Sequence, residues 1–261
     1  MSASHLSRLV EQAAKDAQER RSVCSLLEVR YRAQDAEKPR PFAQALRGAK
    51  GMPLIAEIKR QSPSKGAINL GLDPVRLAQA YEAGGAACLS VLTDRVHFGG
   101  SLADLTAARA ACALPVLRKD FTVTHYQVYE GRAAGGDAVL LIAAAMPAFV
   151  LHELAELTRE LGMAVLFEVH EEHELEAAQL CAPDLIGINA RNLKTLEVDH
   201  GTFARLAPRA RELGALVAES GVKTAADVRR YREAGALAVL VGEALSSAPD
   251  PEAAVRALVS A

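Results

Sequence analysis

The sequence contains no tryptophan, and aromatic residues make up only 4% of its 261 positions. Proteins that hold single-stranded nucleic acid stack bases on aromatic side chains, and most nucleic-acid binders carry a basic patch. Here 30 basic residues are balanced by 32 acidic ones, and no block of basic residues occurs. We therefore expect no nucleic acid among the partners of this protein.

Long apolar runs are absent as well. No stretch reaches the roughly 18 apolar residues that a membrane-spanning helix requires. The N-terminal residues are polar and lack the apolar centre of a secretory leader. We therefore expect a cytoplasmic protein with no membrane partner.

Cysteine is scarce and scattered, and no C-x-x-C pair occurs. A structural metal site needs a cluster of ligands at short spacing, which these cysteines do not form. We expect reduced, mostly buried thiols and no metal site. The four residues are Cys24, Cys88, Cys112 and Cys181.

Eight short apolar runs follow one another from residue 51 onward, separated by amphipathic segments that end at glycines. The runs are continuously apolar, which is typical of parallel strands buried on both faces. Eight strand–helix units favour a closed (β/α)8 TIM barrel over an open sheet. The predicted strands are residues 54–58, 87–92, 116–118, 138–142, 164–167, 185–188, 216–218 and 238–241.

The residues before the first strand have helical spacing. Apolar positions predict one helix over residues 6–32 and a short helix over residues 42–48. We interpret residues 1–50 as an N-terminal helical extension packed on the barrel of residues 51–261. Together they are expected to form a single domain.

Charged side chains stand at the predicted carboxyl ends of three strands. Glu57 and Lys59 follow the first apolar run, Lys119 the third and Glu168 the fifth. Barrels of this type carry function at these strand ends, and buried charges are costly unless they are paired or used. The placement predicts a pocket in which an ammonium acid and a carboxylate base lie side by side.

Two glycines suggest a phosphate site. Gly221 and Gly242 follow the seventh and eighth strands, where such barrels commonly hold a phosphate against backbone N–H groups. Neither G-x-G-x-x-G after the first strand nor a Walker A pattern is present, which weakens a dinucleotide or nucleotide interpretation.

Some of these charged residues could also have a purely structural role. Glu57 and Lys59 also fit a salt bridge at a strand end, and Lys119 also fits a solvated loop. His170 and His173, among glutamates, resemble a metal motif, but no third ligand is evident, so a solvated helix start is favoured.

Six ordered motifs between residue 42 and the C-terminus resemble those of indole-3-glycerol phosphate synthases. In that family the first strand carries the pattern seen here as Ile-Ala-Glu-Ile-Lys-Arg-Gln-Ser-Pro-Ser. The motifs cover residues 55–64, 90–94 with 98–101, 117–121, 187–193, 218–221 and 241–245.

The resemblance implies a defined reaction. The family converts 1-(2-carboxyphenylamino)-1-deoxyribulose 5-phosphate to indole-3-glycerol phosphate with loss of CO2 and water, a step of tryptophan biosynthesis that uses no cofactor. Carried over, Lys119 is the general acid of ring closure and Glu168 the base of the dehydration. Glu57 and Lys59 assist proton transfer and orient the substrate carboxylate, while Asn189 and Ser220 position its hydroxyl and amine groups.

The remaining expected contacts fall into two groups. The phosphate is expected at Ser62, Arg191, Gly221 and Gly242. The aromatic ring needs an apolar wall, for which the candidates are Pro63, Phe98, Phe121 and Leu140.

Two other functions remain open. One is an aldolase-type lyase in which Lys119 or Lys59 forms a Schiff base on a sugar phosphate. The other is a non-catalytic barrel that binds a sugar phosphate. We expect a monomer and, because no phosphoribosylanthranilate isomerase segment follows Ala261, the form with a single activity.

Overall fold

The computed structural model describes residues 5–193 and 195–261 and contains a closed barrel of eight strands. Each strand pairs in parallel with its neighbours in the chain, and the eighth pairs with the first. This confirms the predicted (β/α)8 architecture with helices before the barrel. The strands are β1 (Leu54–Ile58), β2 (Cys88–Leu92), β3 (Val116–Lys119), β4 (Ala138–Ile142), β5 (Ala164–Val169), β6 (Leu185–Asn189), β7 (Ala215–Glu219) and β8 (Ala238–Val241).

Helices surround the barrel and precede it. Three of them lie before β1, and the others follow the strands in turn. In chain order they are α1 (His5–Val23), α2 (Leu26–Asp35), α3 (Phe42–Gly48), α4 (Pro74–Ala83), α5 (Arg95–Phe98), α6 (Leu102–Ala111), α7 (His125–Ala133), α8 (Ala148–Glu160), α9 (Leu175–Cys181), α10 (Thr202–Ala210), α11 (Ala225–Glu233), α12 (Glu243–Ser246) and α13 (Pro251–Val259).

Three shorter elements complete the architecture. A two-stranded hairpin, Gln61–Ser62 with Gly66–Ala67, follows β1, and 3-10 turns cover Ala143–Ala145 and Glu172–Glu174. Among the described residues, no helix combines the length and the apolar character that crossing a bilayer would require.

Several strands run farther than their apolar sequences predicted. β3, β5, β6 and β7 each continue into charged or amide residues because the backbone ladder does not stop where the apolar side chains do. Lys119 pairs in register with Leu92, Glu168 with Ile142, and Asn189 with Glu219. The polar residues at the mouth are therefore fixed by strand backbone rather than by loops.

The prediction of one continuous N-terminal helix over residues 6–32 is wrong. The chain breaks at Ser25, whose backbone is extended (φ −63°, ψ 159°) and whose hydroxyl accepts the N–H of Glu28. A serine in this role caps the start of a new helix and supplies a partner that the first turn lacks. α2 consequently turns away from α1 and packs on α7. The short helix predicted at residues 42–48 is observed as α3.

The extension contacts both ends of the barrel. Leu6 and Leu9 of α1 share one apolar cluster with Phe121 at the mouth, and Leu9 lines the cavity there. Phe42 of α3 belongs to the same cluster, and its carbonyl oxygen accepts the thiol of Cys88, the first residue of β2, at 3.6 Å. The amino-terminal ends of the strands are thus closed by α3, and the mouth is partly covered by α1.

Side chains along each strand point alternately outward and inward, and this divides the apolar core into two clusters. Outward side chains pack under the helices, whereas inward ones fill the barrel together with α1 and α3. In β1 the inward residues are Ile55 and Glu57, and in β3 they are Leu117 and Lys119, because side chains two apart share a face. The barrel is apolar at its base and charged at its mouth.

Candidate active site

One cavity of about 460 Å³ opens at the carboxyl ends of the strands, a size typical of small-molecule sites. Every site residue expected from the sequence lines it. These are Glu57, Lys59, Lys119, Glu168, Asn189, Ser220, Ser62, Arg191, Gly221, Gly242, Pro63, Phe98, Phe121 and Leu140. Residues from strands far apart in sequence are therefore collected in one pocket.

The first charged pair comes from β1. The Nζ atom of Lys59 lies 2.7 Å from Oε1 of Glu57, and the glutamate is only 3% exposed. Its other oxygen accepts the Ser90 hydroxyl at 3.5 Å. A Cβ atom at Gly242 would stand 2.1 Å from Oε1 of Glu57, so glycine is the residue that leaves room for this carboxylate.

The second charged cluster centres on Lys119. Its ammonium donates to Oε2 of Glu168 at 2.7 Å and to Oε2 of Glu219 at 3.1 Å. The two carboxylates are 1% and 2% exposed, and they enter the barrel from β5 and β7. A buried ammonium with two carboxylates can deliver or receive a proton at the pocket wall.

The environment shifts the pKa values of the two carboxyl groups of this cluster in opposite directions. Burial alone would raise the pKa of Glu168, but the Lys119 ammonium and His170 outweigh it and hold this pKa well below its usual range. For Glu219, burial raises the pKa to about 8, the negative charge of Glu168 adds to the rise, and Lys119 only partly opposes it. The surroundings therefore favour Glu168 as the carboxylate of the pair and Glu219 as the group that holds a proton.

Lys119 is held as an ammonium. Burial by itself would lower its pKa, but the negative charges of Glu168, Glu219 and Glu57 raise the pKa above that of an ordinary lysine. The amine is therefore protonated throughout the physiological range.

Glu219 was not among the residues predicted from sequence. Its carboxyl contacts Lys119, and a Cβ at Gly187 would stand 2.0 Å from its Oε1 atom. One signal was available: Glu219 lies two residues after the inward Val217 and directly before the expected Ser220. The predicted strand ended one residue short of it.

Backbone geometry shapes the end of the cavity after β7. Ser220 and Gly221 have φ values of +66° and +76°, in the left-handed region that costs energy for a serine. A Cβ at Gly221 would stand 2.7 Å from the His200 ring, so the turn needs glycine for space as well as for conformation. Gly242, after β8, precedes the short helix α12.

Polar groups surround this same end. The Asn189 side chain accepts the backbone N–H of Arg191 at 3.0 Å, and the Arg191 guanidinium donates to the carbonyl of Leu196 at 2.8 Å. From the hairpin after β1, Lys65 reaches Glu243 of α12 at 3.3 Å. Cationic and imidazole residues that the sequence motifs did not single out also line the cavity, namely His5, Lys65, His200 and Lys223.

The opposite wall is apolar. The rings of Phe98 and Phe121 lie 6.5 Å apart between centroids, tilted by 40°. Leu140 lies inside the barrel at 2% exposure, and Pro63 borders the wall from the hairpin. Leu9 of α1, expected only in a covering helix, also lines this cavity. The pocket thus joins an apolar surface to a polar one.

Arg118, beside Lys119, faces the opposite way. It is 1% exposed and lies between β3 and α7, where its Nη2 atom donates to Asp120 at 2.9 Å and to Glu130 at 3.1 Å. Glu130 also accepts two bonds from Arg20 of α1. This network anchors the backbone on either side of Lys119.

The two histidines considered as a metal motif separate in the structure. His170 turns inward beside Glu168, whereas the side chain of His173 is 73% exposed. Across the described ranges 5–193 and 195–261, no group of three or more His, Cys, Asp or Glu side chains is arranged to hold a metal ion.

Comparison with known proteins identifies relatives along the whole chain. The family model described as indole-3-glycerol phosphate synthase matches residues 6–258. The protein of that name from Mycolicibacterium gilvum is 50% identical over 260 residues, which cover 100% of this chain and 95% of the relative. Indole-3-glycerol phosphate synthase 1 of Streptomyces coelicolor is 50% identical over 256 residues, covering 98% and 95%.

Solved structures support the architecture alone. A 3-hexulose-6-phosphate synthase superimposes with a TM-score of 0.64 at 18% identity, covering 79% of this chain and 98% of that one. The resemblance inferred from the ordered motifs is confirmed by the sequence relatives. The chain belongs to the indole-3-glycerol phosphate synthase family.

Proposed function

We propose that this cavity closes the indole ring by general acid–base catalysis, with Lys119 as the acid and Glu168 as the base. The observation that carries the proposal is the Lys119 ammonium held between two buried carboxyl groups, 2.7 Å from Glu168 and 3.1 Å from Glu219. The pKa values of Glu168 and Glu219 are driven apart, which makes these two groups the candidate base and second acid of the site.

The overall reaction is that of the family. It converts 1-(2-carboxyphenylamino)-1-deoxyribulose 5-phosphate to indole-3-glycerol phosphate, which makes the protein a carboxy-lyase of tryptophan biosynthesis. The expected activity is confirmed by full-length relatives of that name at 50% identity. The assignment of single residues to its steps is supported by their position, burial and charge in the cavity.

Ring closure builds negative charge on the ketone oxygen of the substrate as the aromatic carbon attacks. An ammonium that is already in place stabilises this charge and can donate a proton to it. Lys119 meets both needs because it is positively charged and lies at the pocket wall. The same charge opposes the Schiff-base alternative at Lys119, since a nucleophilic lysine has to lose its proton first.

Dehydration after the loss of CO2 needs a base and a second acid. Glu168 is ionised and buried, and we assign it the base role. The carboxyl of Glu219 lies on the other side of Lys119 and lines the cavity, and its raised pKa favours the protonated form. It is the natural source of the proton for the leaving hydroxyl.

The other predicted residues bind and orient. Lys59, paired with Glu57, supplies a cation that assists proton transfer, and its Nζ atom lies beside Gly242, near the end assigned to the phosphate. Asn189 and Ser220 both line the cavity, and we assign them to the hydroxyl and amine groups of the substrate. Position and residue type support each of these roles.

The two ends of the cavity match the two ends of the substrate. The benzoate ring would lie against Phe98, Phe121, Leu140 and Pro63. The phosphate would lie at the opposite end, near Ser62, Arg191, Gly221 and Gly242, where backbone N–H groups and cations favour a dianion. The reacting ketone then falls between the two ends, beside Lys119.

Removal of Lys119 tests the assignment. We expect Lys119→Ala to lower turnover by several orders of magnitude, because an acid present only at the reacting atom acts mainly on kcat. Formation of indole product is followed by its fluorescence, without added metal or cofactor, over a protein background that lacks tryptophan.

The matched control is Lys50→Ala, an exposed lysine just before β1 at the other end of the barrel, which should keep wild-type turnover. A loss below tenfold in Lys119→Ala would overturn the acid role. Absence of product with the wild-type protein would overturn the reaction itself, and borohydride trapping of a substrate adduct would then favour the aldolase alternative.

Partner, compartment and oligomeric state complete the proposal. A phosphorylated small molecule is the partner that this pocket fits. We propose that the protein acts as a cytoplasmic monomer, since its cavity is completed by elements of a single chain. Sedimentation at assay concentration, compared with the 27.7 kDa mass of one chain, tests the oligomeric state.

A further inference from the structure

His170 lies directly behind the proposed base and belongs to no role assigned so far. It follows Glu168 by two residues at the end of β5, so its side chain also points inward, but it does not line the cavity. Its side chain is 10% exposed. A buried ionisable ring beside a catalytic group calls for an explanation.

The ring stands between two carboxyl groups. Its Nε2 atom lies 3.3 Å from Oε1 of Glu168, and its Nδ1 atom lies 3.6 Å from Oε2 of Glu174. Both ring nitrogens are buried, and neither has a hydrogen bond of good geometry among the described residues. The contacts with the two glutamates are therefore chiefly electrostatic.

The protonation state of the ring follows from these neighbours. A neutral imidazole always carries one lone pair, and here that lone pair would face a carboxylate whichever nitrogen bore it. An imidazolium instead places a positive charge beside both carboxyl groups. Burial would lower the pKa of His170, but Glu168 and Glu174 outweigh it and raise the pKa to about 9.

The charged groups farther from the ring do not remove the two negative charges that face His170. Lys119 of β3 donates to Glu168 on its other oxygen, Oε2, and Glu219 of β7 lies beyond that lysine. Glu174 is itself fixed, because its Oε2 atom accepts the backbone N–H groups of His170 and Glu171. Each oxygen of the Glu168 carboxylate thus contacts one cation, Lys119 at Oε2 and His170 at Oε1.

We propose that His170 is a positioning residue for the Glu168 base: as an imidazolium it fixes Oε1 of the carboxylate opposite Lys119 and keeps the group ionised. This inference rests on the proposed base role of Glu168. No covalent or proton-transfer step is assigned to the ring.

Replacement by asparagine separates this role from a merely structural one. His170→Asn removes a positive charge next to Glu168, so the pKa of Glu168 rises, and the acid limb of the kcat profile should move up by about one pH unit. At high pH the variant should recover to within a few fold of the wild type. A purely structural loss would lower kcat equally at every pH.

The matched control is His173→Asn, the same substitution three residues later on an exposed ring. Its profile should superimpose on that of the wild type. A His170→Asn profile with an unmoved acid limb overturns the inference while leaving the reaction established. If the wild-type protein forms no product, the proposed function fails instead.

A second readout and a second variant test the inference even if His170→Asn does not fold. NMR titration of the imidazole signals in the wild-type protein should show His170 charged at pH 7, and a neutral ring would overturn the inference without any turnover assay. Glu174→Gln keeps the backbone acceptor but removes one carboxylate, so the His170 titration should shift to lower pH. An unchanged titration in Glu174→Gln would likewise contradict the proposal.

Discussion

At the scale of single residues, the charged mouth depends on glycines as much as on the charges. Gly187 leaves the space that the Glu219 carboxyl occupies, and Gly242 does the same for Glu57. Interiors are packed too tightly for a side chain to be added at such points without displacing its neighbour. The two glycines therefore leave the space in which these carboxyl groups are held.

The buried Glu219 predicts an unusual pH dependence of stability. Its pKa is about 8 in the folded chain and near the ordinary 4.5 in the unfolded one, so between these values only the folded state keeps the proton. The unfolded state then binds fewer protons, and the free energy of unfolding falls as the pH rises through this window.

Glu219→Gln should remove the part of the pH dependence of the unfolding free energy that Glu219 causes. We expect the decrease in unfolding free energy from pH 5 to pH 8 to be smaller in the variant, by about 1.4 kcal/mol for each unit of pKa difference that is removed. Denaturant titrations at both pH values measure it, with the exposed Glu233→Gln as the control. Equal pH dependence in wild type and Glu219→Gln would contradict a protonated Glu219.

Most of the charged residues of the site could be predicted at this scale. Glu57, Lys59, Lys119 and Glu168 follow apolar runs, and their charge makes them stand out there. Glu219 was missed because the predicted strand stopped one residue before it and because its partner Lys119 lies on β3, a contact that one sequence does not reveal.

At the scale of elements, the eight strands were predictable because a buried parallel strand needs an unbroken apolar sequence. Their carboxyl ends were not, since the ladder continues through Lys119 and Asn189 regardless of polarity. The break at Ser25 was hidden for a related reason: helical spacing continues on both sides of it, and only the cap marks the end of α1.

At the same scale, the ion-pair network that joins α1, α7 and β3 through Arg118 and Glu130 holds the backbone around Lys119 in place. Replacing Glu130 by glutamine leaves the Arg118 guanidinium, 1% exposed, with Asp120 as its remaining charged partner. Breaking a buried ion pair from one side costs about 3 kcal/mol, and we expect a loss of this order in the free energy of unfolding.

The control for this network is the exposed pair Arg32–Glu28, whose side chains are 62% and 49% exposed. Glu28→Gln should cost less than about 1 kcal/mol because water screens that pair. Chemical denaturation of both variants makes the comparison. Equal losses in the two would show that the Arg118 network adds nothing beyond a surface contact.

At the scale of the whole molecule, we propose that the helical extension of residues 1–50 and the barrel of residues 51–261 form one cooperative unit. Leu46 of α3 is fully buried in the cluster that fills the barrel. Leu46→Ala should therefore lower the unfolding free energy of the entire chain by about 2 to 5 kcal/mol, the usual cost of a large cavity.

A leucine of the same extension provides the control. Leu27 is 61% exposed, and Leu27→Ala should leave the transition nearly unchanged. Far-ultraviolet circular dichroism follows the unfolding of both variants. A Leu46→Ala protein with two separate transitions, of which only the smaller one moves, would mean that the extension and the barrel unfold independently.

The packing of the extension against both barrel ends has a consequence for synthesis on the ribosome. Helices α1 and α3 leave the ribosome first, yet the apolar cluster that receives them includes Val217 of β7 and Leu240 of β8. Their binding surface is complete only when nearly the entire chain has been translated. The first segments to be made must therefore wait for the last strands, with their apolar faces uncovered and open to chaperones in the meantime.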